Sequence, residues 1–386
     1  MSILALRPVV PRDPDETHRA ATPLELFFDL VIVIAIAAVT AAFHHAIAEG
    51  HGLDKLVNFA FVFVAIWWVW MNFTWFSSGF DNDDALHRLL SLLIMGGATI
   101  FAAGVTHIFD TLDFSYALLG WVAMRIGMVL LWLRVARSNC AQARSALIYA
   151  AGYAVLQVLW VGLYLIVPAE STLFLPLGIG CFVLEMLVPV IADRRLSLSW
   201  HRGHLVERYG LLFIIVLGEA LLSATMTFGA LYEAHAVDAR LISTALAGLI
   251  LVFAVWWLYF LDTHGHLARR RMREGLIWGY GHVIVFGAVA MMGSGLAAGL
   301  DVLSHHAHVA ADVPALFVNA SAAAFVATLW VVRDINLPGW RARVVLPVST
   351  LVLVVAAALR LPAEATAFIV VATLVARSKP SQPLPH

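Results

Sequence analysis

"ATPLELFFDLVIVIAIAAVTAAF", residues 21–43, starts polar and then stays apolar for the thickness of a membrane. Its two acids, Glu25 and Asp29, stand four residues apart, so they project from one face of one helix. The fourteen residues after Asp29 carry no charge. A carboxylate at the mouth of such a helix costs free energy unless a partner or water compensates it.

The rest of the chain has the same character. Of its 386 residues, 62% are hydrophobic and 13% charged, with a mean hydropathy of +0.88. Soluble domains lie near half apolar and a quarter charged, so the composition points to a polytopic membrane protein embedded in a lipid bilayer. A net charge of −1 gives no sign of nucleic-acid binding. Cys140 and Cys181 lie in or beside apolar runs, so neither a disulfide framework nor a cysteine metal site is expected. About 22 largely polar residues precede the first apolar run, which does not resemble a cleavable leader.

A spanning helix needs about 20 apolar residues. Runs of that kind predict an all-α bundle of about twelve transmembrane helices, at 23–46, 55–77, 88–108, 114–136, 145–167, 171–192, 206–229, 240–262, 276–300, 313–333, 342–360 and 362–376. The last is short, and Pro362 in "LRLPAEA" predicts a tight turn before it. Nineteen Arg and Lys residues then fall at the end shared by both termini, and three (Lys55, Arg240 and Arg360) at the other. Positive charge collects on the cytoplasmic side, so both termini are expected in the cytoplasm. Eight of the sixteen histidines fall at the outer end: His44, His45, His51, His107, His235, His305, His306 and His308. They fit polar loop filling, pH sensing, or a metal site built on "HHAH" at 305–308.

"AIWWVW" (65–70) and "AVWWLY" (254–259) are offset by 189 residues, and Asp29 aligns with Glu219 at an offset of 190. "LLWLRVAR" (130–137) is similarly like "TLWVVRDI" (328–335). These matches predict two six-helix halves, 23–192 and 206–376, related by a parallel repeat, with a tail at 1–22 and another at 377–386.

Four charges fall inside spans: Asp29, Arg125, Glu185 and Glu219. Facing lipid, they would together cost on the order of 10 kcal/mol, comparable to the stability of a whole domain. Arg125 is therefore expected to pair inside the bundle with Glu185 or with Glu219. The acid left over becomes a candidate for carrying protons or binding a cation. An ion-pair network that only fixes helix register is the plainer alternative. Glu219 is expected to be the principal buried acid, with Arg208 and Ser223 on its stripe. Asp29, close to the interface, is expected to be partly wet, and Glu207 and Arg208 fit an interfacial role. His282 suits either packing or a proton relay. Gln157, Asn72 and Asn319 suit interhelical hydrogen bonds. The tryptophans at 67, 68, 70, 256 and 257 fit packing or a cavity wall. Small residues in "MGGATIFAAG" and "MMGSGLAAGL" predict close helix packing. No Walker loop, HExxH, nucleophile elbow or paired-cysteine motif occurs, and no cofactor is expected.

"PLELFFDLVIVIAI" and "ERYGLLFIIVLGEALL" resemble the two signature stretches of the bacterial low-temperature-requirement A (LtrA) family. The resemblance runs from about residue 20 to 376 and carries the family's motif onto Glu25, Asp29, Glu207, Arg208, Gly218 and Glu219. Ala220 stands where the family often has serine, and Ser223 is the nearest hydroxyl. The resemblance implies a multi-pass protein of the bacterial inner membrane and names no substrate. The leading expectation is a proton- or cation-coupled transporter or conduit for a small solute or ion, more readily than an enzyme. An intramembrane enzyme acting on a lipid, with a carboxylate or His282 as base, and a membrane sensor or assembly factor are the alternatives.

Overall fold

The computed structural model describes residues 7–13, 16, 19–111, 113–138, 141–192, 200–233, 238–261, 272–304 and 309–378. They form twelve α-helices: α1 Pro23–Ala48, α2 Leu56–Gly79, α3 Ala85–Thr111, α4 Ser115–Arg137, α5 Ala143–Ile166, α6 Phe174–Ala192, α7 Arg202–Glu233, α8 Ala239–Phe260, α9 Met272–Leu303, α10 Asp312–Val332, α11 Trp340–Ala358 and α12 Ala363–Arg377. Eleven are long and apolar enough to cross a membrane, while α12 has 15 residues. The chain is thus an all-α, multi-pass protein of the lipid bilayer. The expected spans coincide with these helices, although α7 and α9, at 32 residues each, extend further than expected. The tight turn before α12 is present, with Arg360 at a φ of +51° and its guanidinium on Asp312 at 2.7 Å.

Local chemistry starts the helices where the sequence turns apolar. Thr22 Oγ1 accepts from the Glu25 backbone N–H (3.3 Å), and Glu25 Oε2 accepts from the Thr22 N–H (2.8 Å). With Pro23 in the first helical position, this is a reciprocal capping box. Asp84 starts α3 by accepting from the His87 N–H at 3.0 Å, and Asp238 starts α8 through the Leu241 N–H at 2.7 Å. On α1, Phe27, Leu30 and Ile34 face outward, while Phe28, Ile32, Ala35 and Val39 are buried. A helix apolar on both faces needs lipid on one side and protein on the other.

The chain divides into two compact units. The first comprises residues up to Val39 and Asn58–Leu212, the second Thr40–Val57 and Phe213 onward. In the first unit α3 packs on α4, α4 on α5 and α5 on α6. A Cβ on Gly97 or Gly120 would meet the backbone of the other helix of the α3–α4 pair within 3 Å, so the small residues do permit close packing. One end of this unit gathers the starts of α1, α3, α5 and α7 with the ends of α2, α4 and α6. There Arg19 donates to the carbonyls of Ser77 (2.5 Å) and Ser78, the Val9 N–H to Ser138 Oγ (3.0 Å), and Ser145 to the Ala192 carbonyl (3.0 Å). At the opposite end Ser115 Oγ meets the Tyr164 hydroxyl at 2.7 Å.

In the second unit α9 packs on α10, α10 on α11, and α12 on α8. Asp334, in a short 3₁₀ turn after α10, holds Arg333 and Arg377 at 2.6 Å each. Trp67, Trp68 and Trp70 are core residues of the first unit, whereas Trp256 and Trp257 of the second are exposed. Cys181 is a free thiol; Cys140 and the "HHAH" histidines, His305, His306 and His308, lie outside the described residues.

Candidate functional site

The first unit buries two charged clusters, one on each side of the tryptophan run of α2. The first cluster joins α1 to the start of α7. Arg208 donates from Nη2 to Asp29 Oδ1 at 2.7 Å and from Nε to Oδ2 at 3.1 Å, a two-point grip on the carboxylate. Its Nη1 lies 3.0 Å from Glu25 Oε1 as an ion pair without hydrogen-bond alignment. His204 Nε2 stands 3.1 Å from Glu25 Oε1, and Trp70 Nε1–H donates to Asp29 Oδ1 at 2.7 Å. Side-chain exposure is 0% for Asp29, Arg208 and His204 and 2% for Glu25.

Helical spacing builds this cluster. Glu25 and Asp29 lie one turn apart on α1, as His204 and Arg208 do on α7. Both contacts, Glu25 with His204 and Asp29 with Arg208, join residues 179 places apart, as two helices running the same way require. Around them stand Arg19 and Asp81, both outside the spans, and His87 on α3. Burial lowers the Arg19 pKa while Glu25 pulls it up, and burial together with the charge of Glu25 raises the Asp81 carboxyl against His87, Arg19 and Arg12.

The second cluster links α4 to α6. Arg125 donates from Nη2 to Glu185 Oε2; Trp68 donates to the same oxygen at 2.6 Å and Trp160 to Oε1 at 2.9 Å. The guanidinium carbon lies 4.4 Å from the Trp121 ring centroid and 5.1 Å from that of Tyr153. Tyr153 in turn donates to Asn72 Oδ1, and Asn72 Nδ2 to the Trp68 carbonyl at 2.6 Å. Of the two acids open to Arg125 in the sequence, its partner is Glu185.

The other candidates fall elsewhere. Asp29 is dry, not partly wet, because Arg208 turns inward to meet it. Glu219, expected as the principal buried acid, is half-buried, with no hydrogen bond or ion pair among the described residues. Glu207 is exposed and accepts from the Ala21 N–H at 3.3 Å. Gly218 faces open space, and the Ser223 carbonyl accepts from Thr227 Oγ1 at 3.1 Å. His282 is buried in the second unit, with Nδ1 2.6 Å from the Trp278 carbonyl and Nε2 3.1 Å from the Tyr259 hydroxyl. A carbonyl only accepts, so Nδ1 carries the proton and Nε2 takes that of Tyr259. His282 thus bridges the Trp278 carbonyl and the Tyr259 hydroxyl inside the second unit. Asn319 bonds the Leu361 carbonyl at 2.7 Å and accepts from Thr366 at 2.7 Å, an interhelical role. Sequence reading passed over His204 and Trp160, and gave Trp68 and Trp70 packing or a cavity wall, not their roles as donors to Glu185 and Asp29. The histidine–arginine pair of α7, spaced like the two acids of α1, was the signal that could have found His204.

The sequence matches the family described as bacterial low temperature requirement A protein (LtrA) over residues 20–378. It is 26% identical over 294 residues to an uncharacterized protein of Rhizobium meliloti (strain 1021), covering 71% of this chain and 68% of that one. No solved structure is significantly similar to it. Three residues carried over from the family motif, Glu25, Asp29 and Arg208, come together in one buried cluster. The chain belongs to the bacterial low temperature requirement A (LtrA) family.

Proposed function

We propose that the protein is a proton-coupled transporter or conduit in which Glu25, Asp29, His204 and Arg208 share one exchangeable proton. Charge count carries this reading. Two carboxylates face one guanidinium and one imidazole, so with a neutral histidine the quartet keeps one uncompensated negative charge. Adding Arg19 and Asp81 leaves the count unchanged. In a low-dielectric site an unbalanced charge costs several kcal/mol, and a proton on His204 or on either acid removes it. By contrast, Arg125 with Glu185 is already neutral and reads as structural.

Two six-helix repeats suit alternating access. The packing order α3–α4–α5 and α9–α10–α11 supports them. So do two stacked ring pairs, Phe28 with Phe73 (3.9 Å, 17°) and Phe213 with Tyr259 (3.8 Å, 15°). Phe213 stands 185 places after Phe28 and Tyr259 186 after Phe73, about one helical turn from the offset of the tryptophan motifs. In that register the counterpart of Asp29 is Ile214 or Ile215, and the proton site belongs to one half only.

Proteoliposomes loaded with a pH-sensitive dye test the function. An imposed pH difference, with solutes screened by class, should drive a signal that protein-free vesicles lack and that Asp29→Asn loses. Equal signals with and without protein, for every solute, would remove the transport reading.

A further inference from the structure

The second unit holds an apolar slot of about 280 Å³ between the later half of α7 and the first half of α8. It runs from Ala220 to Phe228 along α7 and from Val252 back to Ile242 along α8, over Leu296 and Leu300 of α9. At 1.5 Å per residue these stretches are about 12 and 15 Å long. One leaflet of a bilayer offers about 15 Å of hydrocarbon, half of its ~30 Å core. An apolar cavity of about 150 Å³ already takes up a benzene-sized guest.

Small side chains make the gap. Ala220 and Ala224 on α7, with Ala245 and Gly248 on α8, stand where larger residues would close it. Ile242, Leu246 and Leu249 are at once wall and outer surface, at 44%, 54% and 38% exposure. The slot therefore opens sideways, onto a surface turned to lipid. At one end Phe228 packs against the buried pair Leu241 and Leu300. No charged residue lines the slot, and of its two hydroxyls that of Thr244 already donates to Glu364 Oε1 at 3.0 Å. A polar guest would give up its hydration for one hydrogen bond, to Thr225. A hydrocarbon gives up nothing, and it supplies the wall contacts that an empty slot forfeits.

We propose that this slot binds one acyl chain of a membrane phospholipid, taken in sideways from the adjoining leaflet and packed between α7 and α8. With no cation in the walls to hold a carboxylate, the chain belongs to a phospholipid and not to a free fatty acid. The slot shares no residue with the Glu25 cluster, so it stands whether or not that cluster moves protons.

Photolabelling in nanodiscs of phosphatidylglycerol, doped with a phosphatidylglycerol that carries a diazirine on one acyl chain, tests it. Peptide mass spectrometry should place adducts on residues 220–228 and 242–252. They should exceed those on Val158 and Phe368, which are more exposed, by about fivefold, the ratio for a preference of about 1 kcal/mol. Ala245→Phe, which fills the slot, should remove this excess, and Ala224→Leu, a milder filling, should reduce it. Ile250→Phe, on the same helix but outside the slot, should keep it. A diazirine palmitate at the same mole fraction should label the slot less. Adducts spread in proportion to exposure, or an excess that survives both fillings, would overturn the proposal. So would stronger labelling by the palmitate, which would make the occupant a free fatty acid, or cross-links through the slot to a second copy of the chain. None of these variants touches Glu25, Asp29, His204 or Arg208, so failure here leaves the proton-transport reading as it was.

Discussion

Arg125 and Glu185 are 2% and 1% exposed, and each is the other's only ionic partner among the described residues. Removing one side of such a pair leaves the other buried and uncompensated, at a cost of about 3–5 kcal/mol. Arg125→Leu should therefore lower the thermal transition in detergent markedly. Adding Glu185→Gln should recover part of the loss, since the amide oxygen still accepts from Trp68 or Trp160. Adding Glu219→Gln should recover none, and rescue by that change would reassign the partner. At this scale the sequence was half legible. Apolar surroundings showed that Arg125 had to be inside a bundle, because a bare guanidinium in lipid is too expensive. They could not show which acid met it, since that depends on how helices distant in sequence pack. Arg208 was misplaced for a related reason. Seven positions into its helix it looked interfacial, and only the neighbouring α1 makes its site dry.

Elements pack here through what is missing from their surfaces. A Cβ on Gly120 would stand 2.4 Å from the Gly97 carbonyl oxygen and 2.5 Å from the Phe101 nitrogen. Backbone cannot yield as a side-chain tip can, so Gly120→Val should destabilise by at least the ~1–3 kcal/mol typical of overpacking. Gly162, with open space around its Cβ direction, provides the control: Gly162→Ala should leave the thermal transition unchanged or raise it slightly. Small residues at helical spacing made this interface readable in advance. The N-terminal strap was not readable, because its bonds are backbone to distant side chain. Asp84 accepts from the Arg7 N–H at 3.1 Å and from Arg134 Nη1 at 2.8 Å. Burial raises the Asp84 carboxyl pKa, but hydrogen bonds from Arg134, His87 and Arg7 outweigh it and hold it below the usual carboxylate range. A depressed native pKa gives stability that is present above the unfolded value, near 3.9, and is lost as pH falls through the lower native one. Amide exchange at Arg7 and Val9 should thus stay slow through mild acid in the parent protein. In Asp84→Asn it should already be fast at neutral pH, and unchanged protection there would dissociate Asp84 from the strap.

On the scale of the whole molecule, hydropathy and loop charge made the helix count legible, since every long apolar run has to cross a bilayer or be buried. The same charges predict an orientation that direct labelling can test. With Cys140 and Cys181 replaced, a cysteine at Glu170 should react with an impermeant maleimide on intact cells. One at Asp83, at the Arg-rich end, should react only after permeabilisation. The reverse pattern would invert the protein. The register of the proposed repeat was less legible, because tryptophan motifs on apolar helices align almost as well one turn away. The functional reading rests on a single proton shared by Glu25, Asp29, His204 and Arg208, and proton counting addresses it most directly. Infrared difference titration over about pH 4 to 9 spans the usual ranges of carboxylates and histidine. The purified protein should take up one proton more than Glu25→Gln, whose quartet is already neutral and whose amide preserves the α1 capping box. Identical titrations of the parent, Glu25→Gln and Asp29→Asn would mean that no shared proton exists.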